Sequence, residues 1–308
     1  MKWTPDKLSD LSGKTYFITG GNSGIGLEAA RILCGKGAAV VIGARSLDRA
    51  RQAISQLQDD QPGATIRAVQ LDLTDPASIA AAAEEVIASC PQLDALINNA
   101  GVMQTPERRT AEGFELQLAT NHLGHFRLSA QLYPHLVRSK GRIVVVSSVA
   151  HRFGKMNFDD LMLTKNYDST VAYAQSKLAN LLFTFELDRR LRAANSPVAC
   201  MACHPGYSAT NLQSAGVGME GGSGFFRSVY AVTNRIIAQP AERGAYPTVL
   251  AAAEPTAEGG AYYGPTWFAE TRGPVGRAKV AKQAQDTESA RRLWEETERL
   301  VGPFPLDA

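Results

Sequence analysis

The chain has 308 residues, 44% hydrophobic and 20% charged, with a formal net charge of +2. That mix is ordinary for a globular protein, and the length is enough for a substantial core. The near balance of charge, with no basic run or acidic tail, argues against nucleic acid or an anionic membrane as a partner. The first residues, MKWTPDKLSDLSGK, carry charges and a proline but no apolar core, so they do not read as a secretory signal. The longest apolar runs, such as LANLLFTF at 178–185, fall well short of the roughly 20 residues that span a bilayer. A cytoplasmic location is the expectation, and the four cysteines are then expected as free thiols.

TYFIT (15–19) reads as a first strand, closed by a glycine turn and a helix to about Lys36. AAVVIGA (38–44) is a second strand and LDRARQAISQLQ (47–58) a helix. TIRAVQLDL (65–73) is a third strand, followed by a helix that Asp75-Pro76 opens. LDALINNAG (93–101) is a fourth strand, and a long helical stretch covers roughly 112–138. GRIVVVSS (141–148) is a fifth strand, a helix spans roughly 171–194, and PVACMACHPG (197–206) is a sixth strand running into a turn. Strands alternating with helices of this length predict an α/β protein with a parallel sheet covered on both faces. SAGVGMEGGSGFF (214–226) is glycine-rich and follows the sixth strand, at the sheet edge where such folds bind ligands. Composition leaves a lid and a plain flexible loop equally open.

TGGNSGIG (19–26) lies between a strand and a helix in the first βαβ unit. Gly20, Gly24 and Gly26 permit a tight turn, close approach to a pyrophosphate and close helix packing, and the helix start offers free N–H groups to phosphate. Asn22, Ser23 and Ile25 complete the loop. In this context the pattern predicts nucleotide binding. The second strand ends in GARS (43–46), with no Asp or Glu to hold ribose hydroxyls. Arg45 stands there instead, and a guanidinium suits a 2′-phosphate. NADP(H) is therefore favoured over NAD(H).

YAQSK places Tyr173 and Lys177 four residues apart on one helix face. A free tyrosine, with a pKa of about 10, is a poor acid/base near neutrality, and a nearby ammonium lowers that value. Alone, such a pair is commonplace. Here Ser147-Ser148 ends the fifth strand and NNAG (98–101) the fourth, with Asn121 in the helix between them, so polar groups converge on one rim of the sheet.

Together TGGNSGIG, NNAG, SS, Y-x3-K and the HPG that precedes Thr210 resemble the short-chain dehydrogenase/reductase family, over about residues 13–212. The resemblance implies a Rossmann-type doubly wound sheet of about seven strands in one domain over 1–308. It also places a substrate lid at about 212–236 and a C-terminal extension from about 265. It implies Tyr173 as general acid/base and Lys177 as the group that binds the nicotinamide ribose and lowers the tyrosine pKa. Ser148 then hydrogen-bonds the substrate oxygen, and Asn121 helps hold a relay water. Asn98, Ala100 and Gly101 line the cofactor, Asp72 and Leu73 flank the adenine, and Pro205, Gly206 and Thr210 contact the nicotinamide end.

Ser148 and Tyr173 are 25 residues apart, about twice the common family spacing. The extra segment, with NHLGHF (121–126) and SKLAN (176–180), resembles the retinol dehydrogenase and protochlorophyllide reductase branch, and GGAYYGP (259–265) resembles the closing strand of bacterial members. That branch implies NADP(H) and bulky lipophilic alcohols, aldehydes or ketones. The insertion precedes a helix that often forms the family's tetramer interface, which leaves both homo-oligomer and monomer open. Reduction of an activated C=C bond is an alternative reaction, and a non-catalytic NADP(H)-binding sensor is a further one.

Two motifs invite other chemistry. His151, close after Ser148, invites a hydrolytic triad, but the family reading needs no such base, and a structural role is expected. CMACH (200–204) matches the C-x-x-C-H of haem attachment. In a strand, residues three apart point to opposite faces, so Cys200 and Cys203 are expected as buried filler, with no metal bound.

Overall fold

The computed structural model describes residues 3–207 and 239–307. Thr210 and the segment 212–236 lie outside the described residues. The sheet runs β3-β2-β1-β4-β5-β6-β7-β8, with all neighbours parallel except the last pair. Its strands are β1 (Thr15–Thr19), β2 (Ala39–Ala44), β3 (Ile66–Gln70), β4 (Ala95–Asn98), β5 (Arg142–Val146), β6 (Ala199–Cys203), β7 (Tyr262–Trp267) and β8 (Arg272–Arg277). The order reverses between β1 and β4, which opens a crevice at the carboxyl ends of the central strands.

Alternation along the central strands feeds two cores, and a third cluster receives Ala202 of β6 and Tyr262 of β7. Tyr16 and Ile18 of β1, with Val144 and Val146 of β5, face one core, whereas Phe17, Ile143 and Val145 face the other. The first core is closed by α1 (Gly24–Cys34), α2 (Leu47–Asp60) and α7 (Ala241–Ala253). The second lies under α3 (Pro76–Ser89), α5 (Gly124–Ser139), α6 (Ser169–Ala193) and α8 (Thr287–Val301). Cys200 sits in the second core and Cys203 in the first, so β6 points the two thiols away from each other. All four cysteines are free and buried.

Local sequence explains the helix starts. Asp75 caps α3 by accepting from the Ala77 N–H at 2.9 Å, and Pro76 takes the first helical position, where its missing N–H costs nothing. Asp168 caps α6 by accepting from Thr170 and Val171 at 2.8 Å each. The single helix expected over 112–138 is instead three pieces: a short α4 (Leu116–Leu118), a π turn at Ala119–Leu123, and α5.

An eighth strand corrects the expectation of about seven. β8 reads RGPVGR, with no apolar run and no alternation to announce it. It forms only as the antiparallel return of a hairpin with β7, pairing Tyr263 with Arg277 and Gly264 with Gly276.

The insertion between Ser148 and Tyr173 is anchored throughout. It begins as a 3-10 turn, Val149–Phe153. The Gln175 amide then accepts from the Asn157 N–H and donates to the Leu161 carbonyl, both at 2.9 Å. Arg109 donates to the Met162 carbonyl at 2.8 Å, and Gln117 to that of Ser169 at 2.9 Å. From the other side, α8 covers α6. Trp294 stacks on Phe183 with ring centres 6.1 Å apart, under the Arg190 guanidinium at 4.5 Å. Among the described residues, no helix is long and apolar enough to cross a membrane.

Candidate active site

The ends of β1, β4 and β5 meet α1, the π turn and α6 at the crevice. β1 delivers Thr19 and then Gly20, whose φ of +66° is a left-handed turn that glycine adopts without strain. Gly20 also packs on Ala100, so a side chain there would press on the NNAG turn. Gly26 lies where a Cβ would come within 2.5 Å of the Gly20 carbonyl and the Asn99 amide, which lets the first turn of α1 sit tight against the loop. Ser23 is the N-cap residue of α1, and its hydroxyl makes no cap bond. The first N–H groups of α1 thus point out of a glycine-lined cradle, an arrangement that suits phosphate oxygens.

Arg45 follows directly on β2. It is exposed and joins no hydrogen bond or ion pair among the described residues. Asp72 and Leu73 follow β3 on the same side. Asp72 uses one carboxylate oxygen to hold the Thr74 N–H and hydroxyl, at 2.9 and 2.7 Å. Leu73 is buried in the second core.

Within NNAG the two asparagines divide their work. Asn98 turns into the core, where its amide donates to Ser129 at 2.9 Å. Asn99 braces the glycine loop, donating to the Thr19 carbonyl at 2.8 Å. Sequence reasoning selected Asn98 and passed over Asn99; period-two alternation from the buried Ile97 was the available signal. Gly101 comes next and faces Asn121 and Lys177. Asn121 lies within the π turn, with its side chain locked: Oδ1 accepts from the Val102 N–H at 2.8 Å, and Nδ2 donates to the Val102 carbonyl at 3.0 Å and the Ser176 hydroxyl at 2.9 Å. π turns inside helices recur at functional sites because they re-aim one residue.

The serines at the end of β5 also separate. Ser147 is buried, and its hydroxyl donates to the Lys177 carbonyl at 2.7 Å, tying α6 to the strand. Ser148 is half-buried at the rim and caps the 3-10 turn, accepting from the Ala150 N–H at 3.2 Å. Tyr173 and Lys177 occupy one face of α6, with the ammonium 5.8 Å from the centre of the tyrosine ring. Lys177 is buried and donates to the Val146 carbonyl at 3.1 Å. Burial lowers its pKa to about 8, which still leaves the ammonium as the main form at neutral pH.

His151 is fully buried, and burial lowers its pKa to about 4. One ring nitrogen donates to the Ser148 carbonyl at 2.6 Å, and the other accepts from the Ala281 N–H at 3.3 Å. Both nitrogens are spent on backbone, as a structural role requires. His204, Pro205 and Gly206 lead away from β6. The Gln239 amide holds the Pro205 carbonyl at 2.6 Å, and a side chain on Gly206 would collide with the Thr271 carbonyl. The described residues include no cluster of His, Cys, Asp or Glu able to hold a metal ion.

A glycine cradle on the first strand, Asn121 on a π turn and a Tyr/Lys pair on a buried helix all meet at the sheet's switch point. The model of the short chain dehydrogenase family matches residues 14–217. The chain belongs to the short-chain dehydrogenase family. Among curated members, retinol dehydrogenase 14 of Homo sapiens is 36% identical, over 95% of this chain and 87% of that one. Among solved structures, the chain is similar to the crystal structure of an uncharacterised protein from Mycobacterium paratuberculosis. That structure is 36% identical, with a TM-score of 0.81, covering 99% of this chain and all of the other. Another, from Beutenbergia cavernae, is described as an NAD(P)-dependent gluconate 5-dehydrogenase with NADP bound at low occupancy. It is 28% identical with a TM-score of 0.61, covering 80% of this chain and 91% of that one. The chain is thus an oxidoreductase of the short-chain dehydrogenase family, in its retinol dehydrogenase-like branch.

Proposed function

We propose that this short-chain dehydrogenase is an NADP(H)-dependent oxidoreductase that interconverts a lipophilic alcohol and its aldehyde or ketone. The observation that carries this reading is the Lys177 ammonium, buried 5.8 Å from the Tyr173 ring at the mouth of the glycine-cradle crevice. The cradle formed by Gly20, Gly24 and Gly26, with Ser23 and the first N–H groups of α1, fits a pyrophosphate. Asn22 and Ile25 lie in the same loop, Ala100 and Gly101 flank it, and Asp72 and Leu73 bound the adenine side. Arg45 has no competing partner among the described residues, and in this reading it pairs with a 2′-phosphate. Pro205 and Gly206 bound the nicotinamide end. The bound dinucleotide supplies hydride chemistry.

The remaining work falls to side chains. Ser148 donates to the substrate oxygen and fixes its position beside Tyr173. The Tyr173 hydroxyl gives its proton to that oxygen in reduction and takes it back in oxidation. Lys177 favours the phenolate by its charge and donates to the cofactor ribose. Asn121 orders the water through which the proton is replaced. Support for a lipophilic substrate comes from the relative named retinol dehydrogenase 14. The insertion and α8 cover α6 within one chain, which supports a reading in which that helix does not serve as an interface between copies.

The test is a turnover screen with NADPH, NADP⁺ and their NAD counterparts against aldehydes, ketones and alcohols of graded size, retinal and retinol included. Reduction of large apolar carbonyls by NADPH is expected. A panel with no turnover sinks the enzymatic reading, and faster turnover of short polar carbonyls sinks the substrate class. NADPH is expected to bind more tightly than NADH by roughly 10- to 100-fold, the worth of one or two charge-assisted hydrogen bonds. Arg45→Ala is expected to erase most of that preference, and equal affinities in the wild type would overturn the argument from Arg45.

A further inference from the structure

His125 lies one turn beyond Asn121, nearly sealed from solvent, and joins the two halves of the site. Burial lowers its pKa to about 4, so the ring is neutral and holds one donor and one acceptor. Nδ1 lies 3.1 Å from the Asn121 carbonyl oxygen, which only accepts, so Nδ1 carries the proton. Nε2 must then accept, and the Thr19 hydroxyl lies 2.8 Å from it. With its one proton committed to the ring, the Thr19 oxygen serves as acceptor for the Asn99 and Ala100 N–H groups, both at 2.9 Å. The 3.4 Å approach of that oxygen to the Ile97 carbonyl is therefore a contact without a proton in it.

Every link has a fixed direction. The NNAG backbone donates to Thr19, Thr19 to His125, and His125 to the Asn121 carbonyl. The Asn121 amide in turn donates to Ser176 at 2.9 Å, and the Ser176 hydroxyl to the Tyr173 carbonyl at 2.8 Å. Thr19, Asn121 and Ser176 are fully buried, so no water competes for these bonds. Thr19 is the residue from which the glycine loop departs.

We propose that His125 is a positioning residue for the reaction: one neutral imidazole sets the glycine loop through Thr19 and the proton-transfer side of the site through Asn121. The proposal rests on the function given above, and its two bonds can be cut separately. Asn at position 125 can keep the donor toward Asn121 but is too short to reach Thr19. Gln is longer and can present an acceptor to Thr19 while losing the Nδ1 donor. Thr19→Val keeps the shape and removes the hydroxyl, and Thr19→Ser restores it.

The experiment measures NADPH affinity by fluorescence, kcat and KM for NADPH-dependent reduction of retinal, and the melting temperature of each variant. His125→Asn is expected to raise the NADPH Kd by roughly 5- to 10-fold, the worth of one buried hydrogen bond, and Thr19→Val, which also takes the acceptor from the Asn99 and Ala100 N–H groups, by at least that factor, with a smaller change in kcat for both. His125→Gln is expected to lower kcat by a similar factor and leave the NADPH Kd near that of the wild type. Thr19→Ser is expected to recover the affinity lost in Thr19→Val. A purely structural ring would instead lower the melting temperature in all variants while the folded fraction kept wild-type Kd and kcat, and that result would overturn the proposal. So would Asn and Gln variants that lose affinity and turnover in the same ratio. If the wild type binds NADPH but reduces no retinal, the proposed function has failed for that substrate, and the affinity measurements still decide the Thr19 bond.

Discussion

Tyr173→Phe is expected to lower kcat/KM for carbonyl reduction by a factor on the order of 10² to 10⁴, the usual worth of a positioned proton donor, while NADPH affinity and melting temperature stay close to wild type. The substitution keeps the ring and removes one oxygen from a half-buried residue at the crevice mouth. The glycine cradle, which holds the pyrophosphate in this reading, is built from other elements. A folded variant with more than a tenth of wild-type turnover would show that the proton comes from elsewhere. Loss of NADPH binding along with turnover would show instead that the hydroxyl serves the cofactor.

Lys177→Met is expected to do two opposite things, abolishing most turnover while stabilising the protein in the absence of NADPH. The ammonium is sealed in the protein, and burial lowers its pKa from 10.5 to about 8. A depression of that size corresponds to about 3 kcal/mol of instability below pH 8, where folded and unfolded chains are both protonated. Between about pH 8 and 10.5 the unfolded chain still holds a proton that the folded chain has released, so stability rises with pH across that window. Methionine removes both the cost and the rise. The Val146 carbonyl, which accepts from Lys177, also accepts from the Asn180 amide at 3.1 Å, so the substitution leaves no orphaned acceptor. Urea denaturation of wild type and variant at pH 7 and pH 9.5 checks this. A gain on the order of 2 kcal/mol at pH 7, shrinking at pH 9.5, is expected after some loss of packing. Taking the difference between the two proteins removes the buried tyrosines Tyr16 and Tyr262, whose raised values act in the opposite direction at higher pH. A less stable variant at pH 7 would mean that the ammonium is held by more than its burial cost.

The strands from β1 to β6 were legible because a parallel strand is apolar on both faces, and AVVIGA or RIVVV has no other plausible place. β8 was not, since a Gly/Pro/Arg strand exists only through its partner. The π turn carries no local signal, because ATNHL has an unremarkable helical composition. Motifs located the site well but did not say which neighbour faces where. Along a strand one step reverses the face, so Asn98 and Asn99, or Ser147 and Ser148, differ completely in their surroundings despite being identical residues. His125 looked like ordinary helix interior in the sequence, because its partners lie 106 residues away at Thr19 and four residues back on a backbone oxygen.

The placement of the cysteines turns the two cores into separately tagged compartments. Cys34 and Cys203 belong to one, Cys90 and Cys200 to the other. Burial raises the thiols of Cys34 and Cys203 to about 12 and that of Cys200 well above its usual range. A thiolate-seeking reagent therefore meets almost no nucleophile at these three residues until the chain opens, and Cys90 is shielded by its burial. Alkylation of each cysteine, followed residue by residue, becomes a clock for the layer that contains it, and it distinguishes a molecule that opens one face of the sheet from one that loses both together.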